Sequence, residues 1–189
     1  MKTNRLEAFS DGVIAVIITV MVLELKVPHV GTLQALLAVA PSLLVYALSF
    51  AVVAIMWVNH HQFIEKARRA EPALLWSNNN LLFWMSLIPF ATAYLGENPT
   101  APLAVATYGA VLMVTCIAFL LLQVVLGRQD RDDPKRKIEF DRLNRKAALS
   151  IASYLVAGAL AFISIYISFA IFVIIPALYF WPERKDEMR

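Results

Sequence analysis

RLEAFSDGVIAVIITVMVLE, residues 5–24, joins a charged, hydroxyl-bearing start to a nearly unbroken apolar run. From Gly12 to Leu23 there is no charge and only one polar side chain, Thr19. As a helix, such a segment approaches the roughly 20 apolar residues that cross a hydrocarbon core. Arg5, Ser10 and Asp11 stand at its beginning, and such groups are costly near hydrocarbon unless they have partners. The pattern is that of a helix whose polar end is held by neighbours. Its apolar body can face lipid, other helices or a shared interior.

The same character extends along the chain. Of its 189 residues, 60% are hydrophobic, and the mean hydropathy is +0.65. A soluble domain sits nearer one half apolar. The apolar residues gather in continuous runs without alternation, which excludes an outer-membrane barrel and predicts an all-α, polytopic membrane protein. The first run lacks a small-residue cleavage site and reads as a retained helix. Cys116 is the single cysteine, so an intrachain disulfide is excluded and a Cys/His metal site is not expected. The net charge of +3 comes from basic residues between the apolar runs. Topology accounts for them, and no nucleic-acid partner is expected.

Six spans are expected: Ala8–Leu25, Leu33–Val58, Leu74–Leu95, Pro102–Leu126, and two short helices from Ala147–Trp181 with a tight turn near Ser164. Pro41 marks a kink or the start of the regular helix in the second, and the third contains Pro89. The last stretch is divided because one helix of that length would overreach a core of about 30 Å. With six spans both termini share one side. Lys2, Arg5, the 60–71 loop (Lys66, Arg68, Arg69), the 127–146 loop (Arg128, Arg131, Lys135, Arg136, Lys137, Arg142, Arg145, Lys146) and the tail (Arg184, Lys185, Arg189) then fall together. The positive-inside rule makes that side cytoplasmic, leaving only Lys26 outside. The whole chain, 1–189, reads as one six-helix domain. Its sizeable soluble segment, GRQDRDDPKRKIEFDRLNRK at 127–146, reads as a solvated connector with a helix running into span five. Anionic lipid headgroups are a sharper reading of the same basic residues.

Catalytic signatures are missing: no Gly-rich phosphate loop, HExxH or GxSxG occurs, and no enzyme activity or cofactor is expected. The potassium-filter sequence TVGYG is also absent. Instead, three polar clusters share one membrane depth. They are Arg5, Ser10 and Asp11 opening helix one, His60 and His61 in WVNHH (57–61), and Asn78, Asn79 and Asn80 in NNNLLFW (78–84). A structural network joining helices one to three is the expectation, since His, Asn and Arg supply the donors Asp11 needs. Adjacent histidines also invite a metal or pH-sensitive reading, but a hydrogen-bonded helix end is favoured and no resident metal is expected. At 100° per residue, Phe9, Val13, Val16, Val20, Leu23 and Val27 fall within about 40° of one line. Glu24 lies close to that face and Thr19 at its edge. Every face of this helix is apolar, so periodicity does not choose between a lipid-facing, a packed and a pore-lining stripe.

RLEAFSDG resembles the RxxxFSD signature of the transmembrane protein 175 family, the endosomal and lysosomal potassium channels and their bacterial relatives. Arg5, Phe9, Ser10 and Asp11 match it directly. VIAVIITVMVLELKVP (13–28), WVNHH and NLLFWMSLIPFATAYLGE (80–97) are also similar to the family. The resemblance implies a six-helix unit with cytoplasmic termini. One FSD signature implies the single-repeat type, a homotetramer with four copies of helix one around the pore. It also implies an aliphatic constriction at Val16, Val20 and Leu23 and a selectivity-linked hydroxyl at Thr19. A bracing network would comprise Arg5, Ser10, Asp11, His60 and Asn80. Val16 is smaller than the isoleucine common at the family's first constriction.

The expectation is a potassium-permeable channel of the plasma membrane, with potassium ions and the bilayer as partners and no metal beyond permeating K⁺. Glu24 would ring the outer mouth, and the apolar constriction would gate by dewetting. The alternative is a proton-coupled secondary transporter relaying through Asp11 and His60/His61.

Overall fold

The computed structural model describes residues 3–65, 67, 69–130 and 134–180. Lys2, Lys66, Arg68, Arg131, Trp181 and the basic tail at Arg184, Lys185 and Arg189 lie outside the described residues. Among the described residues the chain forms α-helices with no strand: α1 Thr3–Leu23, α2 Leu33–Ala38, α3 Ala40–Glu65, α4 Pro72–Met85, α5 Ile88–Glu97, α6 Pro102–Gly127, α7 Pro134–Leu160 and α8 Ile165–Phe180. A single 3-10 turn, Arg128–Asp130, follows α6. Three of these helices, α1, α3 and α6, are long and apolar enough to cross a membrane.

Prolines set the breaks. The span expected over Leu33–Val58, with a kink or helix start at Pro41, is two helices, α2 and α3, and α3 continues to Glu65. Pro41 has no N–H for the Leu37 carbonyl, so the helix is interrupted at Val39 and restarts with Pro41 in its first turn. Pro89 acts likewise in the third segment. It offers no donor to the Met85 carbonyl, so α4 stops there and α5 begins at Ile88. The Ser86 hydroxyl donates to the Phe83 carbonyl at the break (2.7 Å). The last apolar stretch turns back over residues 161–164. There the Ser164 N–H donates to the Leu160 carbonyl (2.8 Å), and the Ser168 hydroxyl donates to that of Ala157 (2.7 Å). The charged connector before it is helical from Pro134 onward and continuous with the apolar part of α7.

At the centre of the bundle lies α6, lined on one side by α7 and touched by α4, α5 and α8, while α1 rests on α3, α4 and α5. Small residues permit the closest approach. A Cβ built on Gly109 of α6 would lie 3.2 Å from Phe172 Cζ, 3.3 Å from the Tyr154 carbonyl oxygen and 3.4 Å from Gly158 Cα. Gly96 of α5 is similarly close to Ser42 of α3, whose hydroxyl donates to the Gly96 carbonyl (2.9 Å). In lipid such packing replaces the hydrophobic effect as the attraction between helices. Beside Gly109 the rings of Tyr108 and Phe172 meet edge to face, 5.1 Å apart.

Overpacking this contact tests it. Gly109→Leu is expected to destabilise the protein by about 1–3 kcal/mol, because backbone and ring atoms block the new side chain. Gly158→Ala, whose nearest neighbour would be 3.6 Å away, is expected to cost less. Thermal unfolding of both variants in detergent measures the order, and equal effects would contradict it.

Candidate functional site

The rotation of α1 about its axis decides what it can do. Its buried face is Leu6, Ser10, Ile14, Ile17 and Met21, one helical stripe against α3, α4 and α5. Within that stripe Ser10 is fully buried and polar, so it requires partners. Its hydroxyl donates to the Leu6 carbonyl (2.9 Å) and accepts from the Asn78 side-chain amide N–H (3.0 Å). The Asn78 carbonyl oxygen in turn lies 2.7 Å from His60 Nε2. Because Asn78 donates to Ser10, its oxygen faces the imidazole, and Nε2 carries the proton that it accepts. His60 and Asn78 are also fully buried. One relay, His60 to Asn78 to Ser10 to the Leu6 carbonyl, therefore ties α3, α4 and α1 together.

Beside it, Asp11 accepts from the Trp57 indole N–H (2.9 Å), and His61 Nδ1 lies 2.8 Å from Glu7 Oε1. His60 points into the bundle while His61 points out. Neighbouring residues on a helix diverge by about 100°. Asn78 and Asn80 diverge by about 160° on α4 for the same reason, and the amide that meets Ser10 and His60 is Asn78. Among the described residues Asn80 makes no hydrogen bond to this relay and Arg5 makes no ion pair. Asp11, expected beside Arg5, His60 and Asn80, has its donor in Trp57.

Another face of α1 is left exposed among the described residues. Phe9 is 56% exposed, Val16 59%, Val20 37% and Leu23 79%. These are bulky apolar side chains on the helix whose other side is closed. Next to them runs a line of small residues, Ala8, Gly12, Ala15 and Thr19, also exposed. The Thr19 hydroxyl donates to the Val16 carbonyl of its own helix (2.8 Å). Glu24 continues the helical register through its N–H bond to the Val20 carbonyl (3.2 Å) and is exposed. Lys26 pairs with Glu97 instead of Glu24 (2.7 Å). Both partners of that bridge are largely exposed, so it adds little stability.

A second buried relay escaped the sequence reading. Thr92 of α5 donates to the Ile88 carbonyl (2.8 Å) and sits 2.8 Å from the Ser49 hydroxyl of α3, which is 3.0 Å from the Tyr108 hydroxyl of α6. Thr92 also lies 3.9 Å from Met21 Sδ of α1. The available signal was the presence of hydroxyls inside apolar runs, where helices use them as interhelical links. Trp57 and Glu7 were equally unmarked, one an aromatic at a helix end and the other a charge within the FSD segment.

The first relay makes a direct comparison possible. Asn78→Leu is expected to destabilise the protein by about 1–3 kcal/mol, since Ser10 and His60 are left buried without their partner. Asn80→Leu should change stability far less. Thermal unfolding of the two variants checks this, and a larger loss for Asn80→Leu would overturn the assignment.

Comparison with known proteins agrees with this architecture. Residues 5–89 match the family described as "Endosomal/lysosomal potassium channel TMEM175". A potassium channel of Chryseobacterium sp. (strain P1-3) is 38% identical over 99% of this chain and 97% of its own length. The crystal structure of a lysosomal potassium-selective channel TMEM175 homolog from Chamaesiphon minutus superposes with a TM-score of 0.83 at 35% identity, covering 94% of this chain and 95% of that one. The human endosomal/lysosomal proton channel TMEM175 is 33% identical over 48% of this chain, which corresponds to 20% of the human protein. Two full-length relatives and a shared fold thus surround the FSD-bearing helix described above, and the chain belongs to the TMEM175 family, in its bacterial single-repeat form.

Proposed function

We propose that the protein is a potassium-permeable cation channel in which four copies of α1 surround the pore. The observation that carries this reading is the apolar stripe of Phe9, Val16, Val20 and Leu23. It is exposed on a helix whose buried face, about 110° round the axis, is locked by Ile14, Ile17, Met21 and the Ser10 relay. The small residues Ala8, Gly12, Ala15 and Thr19 beside it suit close approach of a neighbouring α1. The names of the full-length relatives supply the ion, potassium.

The arrangement is six spans, with α4–α5 as the third, α7 and α8 as the last two, both termini cytoplasmic and the plasma membrane as location. Ions pass a ring of Glu24 carboxylates, then rings of Leu23, Val20 and Val16 with Thr19 hydroxyls at their edge. Aliphatic rings hold no hydration shell, so a narrow, dry constriction blocks ions and a wider, wetted one passes them. Discrimination by such rings depends on their width and on the Thr19 oxygens. A proton-coupled carrier running through Asp11 and His60/His61 has less support. Those side chains make separate bonds, to Trp57, Asn78 and Glu7, and form no continuous chain among the described residues.

Currents of the purified protein in planar bilayers test the proposal. Val20→Ala and Leu23→Ala should raise potassium current and weaken K⁺/Na⁺ discrimination. Ile14→Ala, at a position 1% exposed against the neighbouring helices, should lower stability by about 2–5 kcal/mol without raising current. An equal rise in current from Ile14→Ala would remove the stripe from the pore. Particle images without fourfold symmetry would remove the tetramer.

The outer mouth has its own test. Glu24→Gln should lower conductance at about 0.01 M salt and have little effect near 1 M, because the screening length falls from about 30 Å to about 3 Å. Conductance unchanged at low salt would place Glu24 away from the ion path.

A further inference from the structure

The Glu7, Asp11 and His61 side chains present one oxygen or nitrogen each, all within 4.8 Å of one another. Two elements build this group. Glu7 and Asp11 are one helical turn apart on α1, and His61 comes from α3. At 100° per residue both carboxylates lie about 160° from Phe9, on the side of α1 away from the apolar stripe. The group is therefore separate from the proposed ion path. It is also reachable from water: the side chains of His61 and Glu7 are 47% and 24% exposed.

We propose that Glu7, Asp11 and His61 form a binding site for a transition-metal dication of the zinc class, which clamps the start of α1 to α3. One imidazole with two carboxylates is a borderline donor set, suited to Zn²⁺ and its neighbours and poorly matched to K⁺ or Mg²⁺. His61 Nδ1 and Glu7 Oε1 are 2.8 Å apart, whereas ligands at about 2.0–2.2 Å from a tetrahedral zinc stand about 3.3–3.6 Å apart, so this pair opens by roughly half an ångström or more while the group as a whole, spread over up to 4.8 Å, draws in around the ion. A small rotation of the long Glu7 side chain opens that gap. The imidazole then binds through a nitrogen freed of its proton, which moves to the other ring nitrogen. Asp11 is already oriented, because the Trp57 indole N–H holds its Oδ1 at 2.9 Å and leaves Oδ2 for the ion. Such an outer hydrogen bond is a regular feature of metal sites. Water completes the coordination.

The adjacent relay gives the site a structural consequence. His61 follows His60, and Asp11 follows Ser10. A metal joining the outward pair therefore reinforces the same α1–α3 junction that the inward pair makes through Asn78. Binding to the folded state alone raises its stability in proportion to the logarithm of metal concentration.

The test is Zn²⁺ alone, titrated into the purified, tag-free, full-length protein, read by calorimetry and by thermal unfolding. Saturable binding with a rising Tm is expected for the wild type. Glu7→Gln and His61→Gln should each abolish it, whereas His29→Gln should leave it intact. Trp57→Phe should weaken it about 10–100-fold through loss of the orienting bond. Zinc X-ray absorption on the wild type provides an arm that requires no variant to fold, and a single imidazole with oxygen ligands is the expected shell. The proposal fails if the wild type binds no Zn²⁺ at millimolar concentration. It also fails if binding survives in Glu7→Gln or His61→Gln, or if the absorption spectrum shows a sulfur ligand or several imidazoles. None of these readouts depends on ion conduction, so they stand or fall apart from the channel reading.

Discussion

A buried serine on an otherwise apolar helix face is the constraint on which the rest of this structure depends. Ser10 cannot sit among Leu6, Ile14 and Ile17 without hydrogen-bond partners: its hydroxyl donates to the Leu6 carbonyl of its own helix, and its oxygen takes its second partner from another helix, in Asn78. Only one rotation of α1 brings it to Asn78, and Asn78 in turn must face His60. The relay therefore acts as an indexing device. Apolar contacts alone would tolerate several rotations of a helix that is hydrophobic all round. Met21 beside Thr92 holds the same face near the other end.

That indexing divides α1 into three faces. The Ser10 face packs against α3, α4 and α5. The Phe9, Val16, Val20 and Leu23 face is left exposed. The Glu7 and Asp11 edge meets Trp57 and His61 at the polar end of α3. Charges are thus kept to the ends of the helix, where desolvation costs least, while the apolar length between them stays free of competing donors. Which side chains α1 leaves exposed therefore depends on the rotation that its buried hydrogen bonds maintain.

The remaining helices serve to hold that arrangement rigid. Proline interruptions at 41 and 89 let the second and third segments change direction without leaving many backbone groups unsatisfied. The Ser49, Thr92 and Tyr108 hydroxyls link α3, α5 and α6. Gly109 and Gly158 let α6 and α7 approach closely enough for backbone and ring atoms to touch. In lipid such contacts act in place of a hydrophobic driving force, so the loss of one glycine is felt more widely than its size suggests.

Helical class, the apolar segments and the polar start of α1 were legible in the residues themselves, because run length and composition report directly on the solvent a segment requires. The turn near Ser164 followed from length, and Pro41 marked a kink or a helix start, whereas the break at Pro89 and the division into two helices at each proline became visible only in the fold. Partner identity was not legible. Asn78 and Asn80 are chemically identical, and the choice between them depends on the rotation of α4. Trp57 as the donor to Asp11, and His61 as the neighbour of Glu7, depend on how α1 and α3 cross. The hydroxyls of Ser49, Thr92 and Tyr108 lie far apart in sequence, within runs that show no polar face. Sequence patterns report a segment's preference between water and hydrocarbon. Which groups meet is settled by helix rotation and crossing, and on helices apolar on every side only the packed tertiary structure decides that.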